Sequence, residues 1–238
     1  MDGYRDELSA LRLFVTVEHD CNYLSGRSAR NLVADPDMTD QHKYSQLAKL
    51  GFRRSGDHVY RPHCPSCSAC QSLRIPVSRF RPDRSQLRTR KRNQDLLVQE
   101  LNCQFKREHF QLFQRYLRSR HRNGGMDDTD PDHYLSFIAS SWSITRLYEF
   151  RQERRLMAVA VVDYLDDGLS AVYTFFDPQE AVRGLGTYTI LWQIDKAARL
   201  GLDWVYLGYW IRDCAKMTYK SNFRPHEIFI QGRWVSQI

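Results

Sequence analysis

The sequence of 238 residues lacks long apolar segments and any mark of export. It contains no run of 18 apolar residues, and the apolar stretch LRLFVTV at 11–17 is too short to span a membrane. Acidic residues on both sides of that stretch argue against a signal peptide. We therefore expect a soluble, cytoplasmic protein without a membrane partner.

The sequence also lacks internal repeats, low-complexity segments and the order of Ser, His and Asp that would suggest a hydrolytic triad. Its six cysteines are unevenly spread, because three of them lie in the heptapeptide CPSCSAC at 64–70. In a chain without an export signal, clustered cysteines bind metal or take part in catalysis more often than they form disulfides. Cys103 and Cys214 stand alone and are expected in the core.

The cysteine cluster repeats the Cys-x2-Cys spacing of zinc knuckles. Three thiolates leave a tetrahedral site one ligand short, and Cys21 in CNYLSGR is the candidate for the fourth position. We predict a structural zinc or iron–sulfur site formed by Cys21, Cys64, Cys67 and Cys70, and no cofactor for the chemistry itself. The alternative is a group of reduced cysteines that pack as small apolar side chains.

Positive charge is concentrated in the first half of the chain. Residues 1–120 carry 22 Lys and Arg against 13 Asp and Glu, whereas residues 121–238 carry 13 against 15. The stretch 74–92 alone has eight basic residues and one acid. Arginine forks suit phosphates and stack on bases, so this stretch favours contact with a nucleic acid over a merely solvated face.

The order of predicted elements favours an α+β fold. Residues 144–178 are predicted to form a three-stranded meander, followed by a glycine-opened helix at about 185–200. A buried strand, a short helix at 214–220 and a last strand complete the pattern. This order is typical of acyltransferase (GNAT)-like folds. We predict a GNAT-like acyltransferase domain at 123–238 and a smaller, basic, cysteine-containing module at 1–122, separated by an acidic glycine loop.

Several side chains of the predicted C-terminal domain are candidates for chemistry, each with a plain structural alternative. Gly184 and Gly186 open a helix whose backbone N–H groups suit phosphates, although a tight helix entry explains them as well. Asp177 ends a strand before this loop, where it is either a general base or a turn-forming residue. Lys216 and Lys220 are spaced i, i+4 on the predicted helix, where they would clamp an anion or stay exposed.

Six segments together resemble the bacterial leucyltransferases of the arginyl-tRNA–protein transferase family. The match runs from about residue 10 to the end of the chain, and its specificity comes from the order of the segments. The segments are CNYLSGR (21–27), GFRRSGDHVYRPHCPSCSAC (51–70), SQLRTRKRN (85–93), FDP (176–178), GLGTY (184–188) and YLGYWIRDCAKMTYKSNF (206–223).

The resemblance implies an aminoacyltransferase that moves leucine from leucyl-tRNA to the α-amine of proteins beginning with Asp or Glu. The product would be a degradation signal of the N-degron pathway. The resemblance also implies a cysteine site in the N-terminal module. Eukaryotic relatives carry a Cys-x-x-Cys early in the chain and an adjacent Cys-Cys later, whereas this chain has Leu24 where the second cysteine would stand.

Aminoacyl transfer depends on positioning more than on covalent help, because the aminoacyl ester is already activated. The candidates for holding tRNA phosphates and the 3′ end are Arg84, Arg88, Arg90, Lys91, Arg92, Gly184 and Gly186. The candidates for pairing with the acceptor's side-chain carboxylate are Arg27, Lys216 and Lys220. For catalysis, we expect Asp177 to hold or deprotonate the α-amine, and the expected donors to the oxyanion are Tyr173, Tyr188 or Tyr209.

Three alternative functions stay open at this point. A GNAT-type N-acetyltransferase using acetyl-CoA would have the same order of elements. Arginyl-tRNA would be the donor if the chain followed the eukaryotic branch of the family. A zinc-containing RNA-binding module would explain the basic half without catalysis.

Overall fold

The structure is a computed structural model that describes residues 11–120 and 130–237. The strands are β1 (Leu13–Val15), β2 (His19–Asp20), β3 (Ser28–Ala29), β4 (Asn31–Ala34), β5 (Arg53–Ser55), β6 (His58–Pro62), β7 (Gln71–Pro76), β8 (Leu97–Asn102), β9 (Thr145–Gln152), β10 (Arg155–Tyr164), β11 (Gly168–Phe176), β12 (Trp204–Trp210), β13 (His226–Ile230) and β14 (Arg233–Gln237). The α-helices are α1 (Gln41–Lys49), α2 (Arg84–Arg92), α3 (Arg107–Arg120), α4 (Pro131–Ile138) and α5 (Leu185–Arg199). Within these two ranges, no helix combines the length and apolarity needed to cross a membrane.

An eight-stranded sheet forms the centre of the molecule, in the order β14-β13-β7-β12-β11-β10-β9-β8. The predicted meander is confirmed, because β9, β10 and β11 pair antiparallel along their lengths. Strand β10 carries a continuous apolar run at 156–162, and every residue of that run is buried. Such a run is typical of a strand that is covered on both faces.

Helices cover both faces of this sheet. Ala158 of β10 belongs to one core with Leu191 of α5, whereas its neighbour Val159 belongs to a second core with Phe113 of α3 and Tyr134 of α4. Successive side chains of a strand point to opposite faces, so β10 divides the apolar interior into two layers. The predicted helix at about 185–200 is confirmed as α5.

Strands β11 and β12 run parallel and are joined by α5. Their pairing covers three residues of each strand and ends at Ser170 and Tyr206. Beyond that pair, β11 continues to Phe176 and β12 to Trp210. The two strands therefore separate toward their carboxyl ends, a position where ligands bind in many sheets with parallel strands.

A smaller sheet, in the order β1-β4-β6-β5, joins the large one through α1. Tyr44 of α1 shares a third core with Val59 of β6 and Tyr206 of β12. The hydroxyl of Tyr44 also donates to Asp163 of β10 at 3.0 Å. The small sheet is thus fixed to the large one by apolar packing and by a buried polar contact.

The hydrogen bonding of the large sheet crosses the predicted division between residues 1–122 and 123–238. Strand β7 lies between β13 and β12, and β8 forms an edge of the same sheet. The loop proposed as the boundary lies outside the described residues, apart from Asp130 at the start of α4. The part of the first half that forms its own sheet therefore ends before Gln71. Pairing between distant segments overrides the change in local composition.

Two predictions near the end of the chain are corrected. The segment predicted as a helix at 214–220 forms turns and then a 3₁₀ helix at Thr218–Asn222. Lys216 and Lys220 therefore do not share a helix face, because Lys220 turns inward against β12 while Lys216 stays exposed. The predicted last strand is a hairpin of β13 and β14.

Candidate functional site

The arginine-rich segment forms helix α2 beside the glycine loop. Thr89 of α2 lies 3.5 Å from the position that a Cβ would take at Gly184, which opens α5 with a φ of +66°. Nearby, Arg183 Nε donates to Asn93 Oδ1 at 3.0 Å, and Asn93 Nδ2 donates to the carbonyl of Arg183 at 2.8 Å. The structure therefore brings together the two segments that contain the predicted tRNA-binding residues.

The basic side chains of α2 differ in their freedom to meet a ligand. Arg90 is partly buried and pairs with Asp195 at 2.7 Å. The other four predicted residues are exposed: Arg84, Arg88, Lys91 and Arg92. We call these four residues the basic surface of α2. An exposed cation can contact a phosphate without first breaking an ion pair inside the protein.

A cavity of about 620 Å³ lies between the small sheet and the cysteine cluster. Tyr60 of β6 and Tyr209 of β12 are in its wall, with their ring centroids 6.0 Å apart. A space of this size is suited to a ligand as large as an amino acid or a nucleoside. The predicted site residues that line it are Cys21, Arg27, Cys64, Cys67, Cys70 and Tyr209.

The four cysteines around this cavity are free thiols. Burial and the neighbouring thiols raise the pKa of Cys70 to about 12. Cys21 Sγ accepts a hydrogen bond from the N–H of Leu24 at 3.4 Å. Among residues 11–120 and 130–237, no three Cys, His, Asp or Glu side chains are arranged to hold a metal ion. The four predicted ligands therefore line one cavity, and a metal bound to them stays a prediction.

Two of the predicted catalytic residues lie near the entry of α5, away from the cavity wall. The carboxylate of Asp177 is buried, and its Oδ2 accepts from Arg155 Nη2 at 2.8 Å while its Oδ1 caps the following 3₁₀ helix. Tyr188 packs against an aromatic ring of β9, and Tyr173 packs against rings of α3 and α4. Burial raises the pKa of both tyrosines. Each of these side chains therefore already has a structural role.

Lys220 is buried against β12, next to the cavity wall. Its Nζ donates to the carbonyl of Leu207 at 2.8 Å and to that of Tyr209 at 2.6 Å. Burial lowers the pKa of Lys220 to about 7, and the positive charge of Arg53 acts in the same direction. Lys216 and Lys220 do not form the predicted pair, since one is exposed and the other is held inside.

Two parts of the chain match one protein family. Residues 108–230 match its C-terminal region and residues 19–88 match its N-terminal region, both described as arginine-tRNA-protein transferase. The chain belongs to the arginine-tRNA-protein transferase family. It is therefore a transferase, as the resemblance of the six segments predicted.

Relatives of this transferase are similar over nearly their whole length. An aspartate/glutamate leucyltransferase of Pseudomonas fluorescens (strain Pf0-1) is 51% identical over 96% of this chain and 98% of its own. An aspartate/glutamate leucyltransferase of Nitrosococcus oceani is 54% identical over 93% of this chain and 94% of its own. This degree of identity supports the same fold in all three proteins.

Solved structures share the fold of this transferase at low identity. The C-terminal domain of a protein described as a lysylphosphatidylglycerol synthetase, from Agrobacterium fabrum, aligns with a TM-score of 0.50 and 12% identity over 92% of this chain and 82% of that one. The L-PGS of Bacillus licheniformis aligns with a TM-score of 0.50 and 10% identity over 97% and 83%. These likenesses support the mixed α/β architecture alone.

One residue of this transferase lies beside the cavity wall although no local sequence pattern predicted it there. Arg53 of β5 lies over the ring of Tyr209, with its guanidinium carbon 5.6 Å from the ring centroid. Its Nη2 donates to the carbonyl of Val172 on β11 at 3.2 Å. The two adjacent arginines in RRSG could have indicated this. Neighbouring side chains of a strand point to opposite faces of the sheet, so the two arginines must have different surroundings.

Proposed function

We propose that this transferase moves leucine from leucyl-tRNA to the N-terminal α-amine of proteins that begin with Asp or Glu. The observation that carries the proposal is the shared name of relatives that are 51% and 54% identical over almost the full chain. The product would be an N-degron made in the cytoplasm. Because the relatives are leucyltransferases, we favour leucyl-tRNA over arginyl-tRNA as the donor.

The reaction that we propose requires no cofactor. The neutral α-amine of the acceptor attacks the ester carbonyl of leucyl-tRNA, and a C–N bond forms. The resulting oxyanion collapses, the bond to the ribose oxygen of the terminal nucleotide breaks, and the proton lost by the amine ends on that oxygen. Holding the two substrates in line supplies much of the acceleration, and hydrogen-bond donors to the oxyanion supply more.

The basic surface of α2 supports binding of the tRNA in this proposal. Arg84, Arg88, Lys91 and Arg92 would contact phosphates, whereas Arg90, which was also predicted to do so, is committed to its pair with Asp195. The N–H groups at Gly184 and Gly186, beside α2, would meet the 3′-terminal nucleotides. In GNAT-like folds the corresponding helix entry binds coenzyme A, and we propose that the chain has such a fold.

The acceptor is proposed to enter through the cavity that Tyr209 and Arg27 line. Arg27 is proposed to attract its acidic side chain, whereas the exposed Lys216 and the inward-held Lys220 do not form the predicted clamp. Tyr209 is proposed to donate toward the oxyanion in exchange for its present hydrogen bond to the carbonyl of Tyr60. The proposed roles of Asp177 and Tyr188 rest on their positions at the entry of α5, and their existing packing and hydrogen bonds weigh against them. A metal at the four cysteines stays a prediction, which metal analysis of the purified protein tests.

The experiment that tests the function is transfer of radiolabel to peptides beginning with Asp, Glu, Arg or Ala. Separate reactions contain labelled leucyl-tRNA, arginyl-tRNA or acetyl-CoA. We expect label from leucyl-tRNA on the Asp and Glu peptides alone. Label from arginyl-tRNA would correct the donor, and label from acetyl-CoA with both tRNAs inert would overturn the proposal.

A further inference from the structure

The opening between β11 and β12 is occupied by two basic side chains. Arg53 Nη2 donates to the carbonyl of Val172 on β11, and its Nη1 lies 2.8 Å from the position that a Cβ would take at Gly208 on β12. Lys220 Nζ donates to the carbonyls on either side of Gly208, those of Leu207 and Tyr209. Two positive charges therefore converge where the parallel pairing of the sheet has ended.

Gly208 allows this close approach. Its φ of +70° favours glycine, and a side chain there would collide with the guanidinium of Arg53. The guanidinium also lies over the ring of Tyr209, and the Cα of Tyr60 is paired with that of Arg53 across β5 and β6. The backbone at Gly208 and the two tyrosines thus lie around the guanidinium of Arg53.

Among residues 11–120 and 130–237, neither Arg53 nor Lys220 forms an ion pair with a carboxylate. Other buried arginines of the same ranges do form such pairs. Arg53 is partly exposed, and Tyr60 and Tyr209 beside it line the large cavity. Repulsion from Arg53 adds to burial in lowering the pKa of Lys220. An anion placed between them would relieve both the repulsion and the loss of hydration.

We infer that Arg53, held at the opening between β11 and β12, forms an ion pair with the side-chain carboxylate of the acceptor's N-terminal Asp or Glu, which reaches it from the cavity that Tyr60 and Tyr209 line. This inference rests on the proposed function and adds a residue that determines its specificity. Lys220 is the positioning residue that holds β12 in place beside the guanidinium. An arginine fork suits the two oxygens of a carboxylate, and the aromatic surroundings strengthen the attraction.

A carboxylate suits this opening better than a tRNA phosphate does. The exposed cations that suit an extended phosphate backbone lie on α2, beside the glycine loop. Arg53 itself lines a space of only about 10 Å³ with Val172 and Gly208, whereas Tyr60 and Tyr209 beside it line the cavity of about 620 Å³. A single side chain at the start of a peptide can enter such a space, whereas a nucleic-acid backbone runs over a surface.

The test compares kcat/KM for two peptides that differ only in starting with Asp or Asn, using leucyl-tRNA as the donor. In Arg53→Met we expect the value for the Asp peptide to fall about 10- to 100-fold, and the Asp/Asn ratio to approach one. Affinity for leucyl-tRNA should change by less than about twofold, since no phosphate contact is lost. Arg61→Met is the matched control, because Arg61 lies on the same hairpin, over the ring of Phe52 and donating to one backbone carbonyl.

The possible results distinguish a failure of the proposed function from a failure of the role given to Arg53. If the wild-type protein transfers no leucine to the Asp peptide, the proposed function fails before Arg53 is tested. If transfer occurs and folded Arg53→Met keeps the wild-type Asp/Asn ratio, only the role of Arg53 is wrong. An equal loss for both peptides together with weaker tRNA binding would also overturn it. If Arg53→Met does not fold, Arg53→Gln replaces it, because the amide can still donate to Val172.

Discussion

Two adjacent arginines of β5 have entirely different partners, and one is partly exposed while the other is buried. Arg54 has a fully buried side chain, and its Nε and Nη2 reach the two oxygens of Asp163 at 2.6 Å each. It also donates to Thr145 and to three backbone carbonyls. Arg53 donates to one carbonyl and lies on a tyrosine ring. The carboxylate partner therefore distinguishes the structural cation, Arg54, from the proposed binding cation, Arg53.

The largest effect that this comparison predicts is on stability. Arg54→Met leaves the carboxylate of Asp163 buried without its main partner, so we expect the free energy of unfolding to fall by about 3–5 kcal/mol. Arg53→Met removes an unpaired charge, and we expect a change within about 1 kcal/mol. Urea denaturation of the two variants measures both values.

A double variant checks the cause of that loss. Replacing Asp163 by Asn in the Arg54→Met protein removes the uncompensated charge and should recover part of the stability. If Arg53→Met instead destabilised the protein as much as Arg54→Met, the distinction between the two arginines would be wrong.

The second prediction extends the comparison to α2, where one arginine is paired and its neighbours are not. Replacing Arg84, Arg88 and Lys91 by Ala should lower the affinity for leucyl-tRNA about 10- to 100-fold at low salt. The slope of log affinity against log salt should fall by about 3, one for each lost phosphate contact. Binding titrations at several salt concentrations measure the affinity and the slope.

Arg90 supplies the control on the same helix. Because its guanidinium is committed to Asp195, Arg90→Ala should change the salt slope by less than one unit. An unchanged affinity in the triple variant would mean that the tRNA binds another surface.

The two arginines illustrate which features of the structure can be predicted from the sequence and which cannot. Local patterns correctly predicted β9, β10, β11 and α5, because alternation and helical periodicity are properties of neighbouring residues. They also predicted α2 and the glycine loop as tRNA-binding candidates, which the structure brings side by side. Alternation further implies that Arg53 and Arg54 face opposite ways.

Sequence alone does not say which of the two arginines meets an acid. Asp163 reaches Arg54 from β10, 109 positions further along the chain. The insertion of β7 between β12 and β13 is equally long-range, and so is the inward turn of Lys220 toward β12. Each depends on tertiary pairing that overrides local preference, which is why the predicted helix at 214–220 was wrong.

The third prediction concerns Lys220, the second cation of the opening. Its pKa is about 7 in the folded protein and 10.5 in an ordinary lysine, because burial and the charge of Arg53 disfavour the ammonium. Between these two values the unfolded chain binds one more proton than the folded one. The free energy of unfolding should therefore rise with pH above 7, by at most about 1.4 kcal/mol per pH unit, relative to Lys220→Met. Below pH 7 both states are protonated, and the difference between the two proteins should not vary.

Urea denaturation of the wild-type protein and of Lys220→Met at pH 6, 7, 8 and 9 measures that difference. Groups that titrate in this range away from Lys220 are present in both proteins and cancel in the comparison, and Cys214, which acts on the charge of Lys220, is replaced by Ser in both proteins. A difference that stays constant from pH 6 to pH 9 would mean that Lys220 keeps its proton because the carbonyls of Leu207 and Tyr209 solvate the ammonium. The opening would then carry two full positive charges throughout, and its attraction for a carboxylate would not weaken as the pH rises.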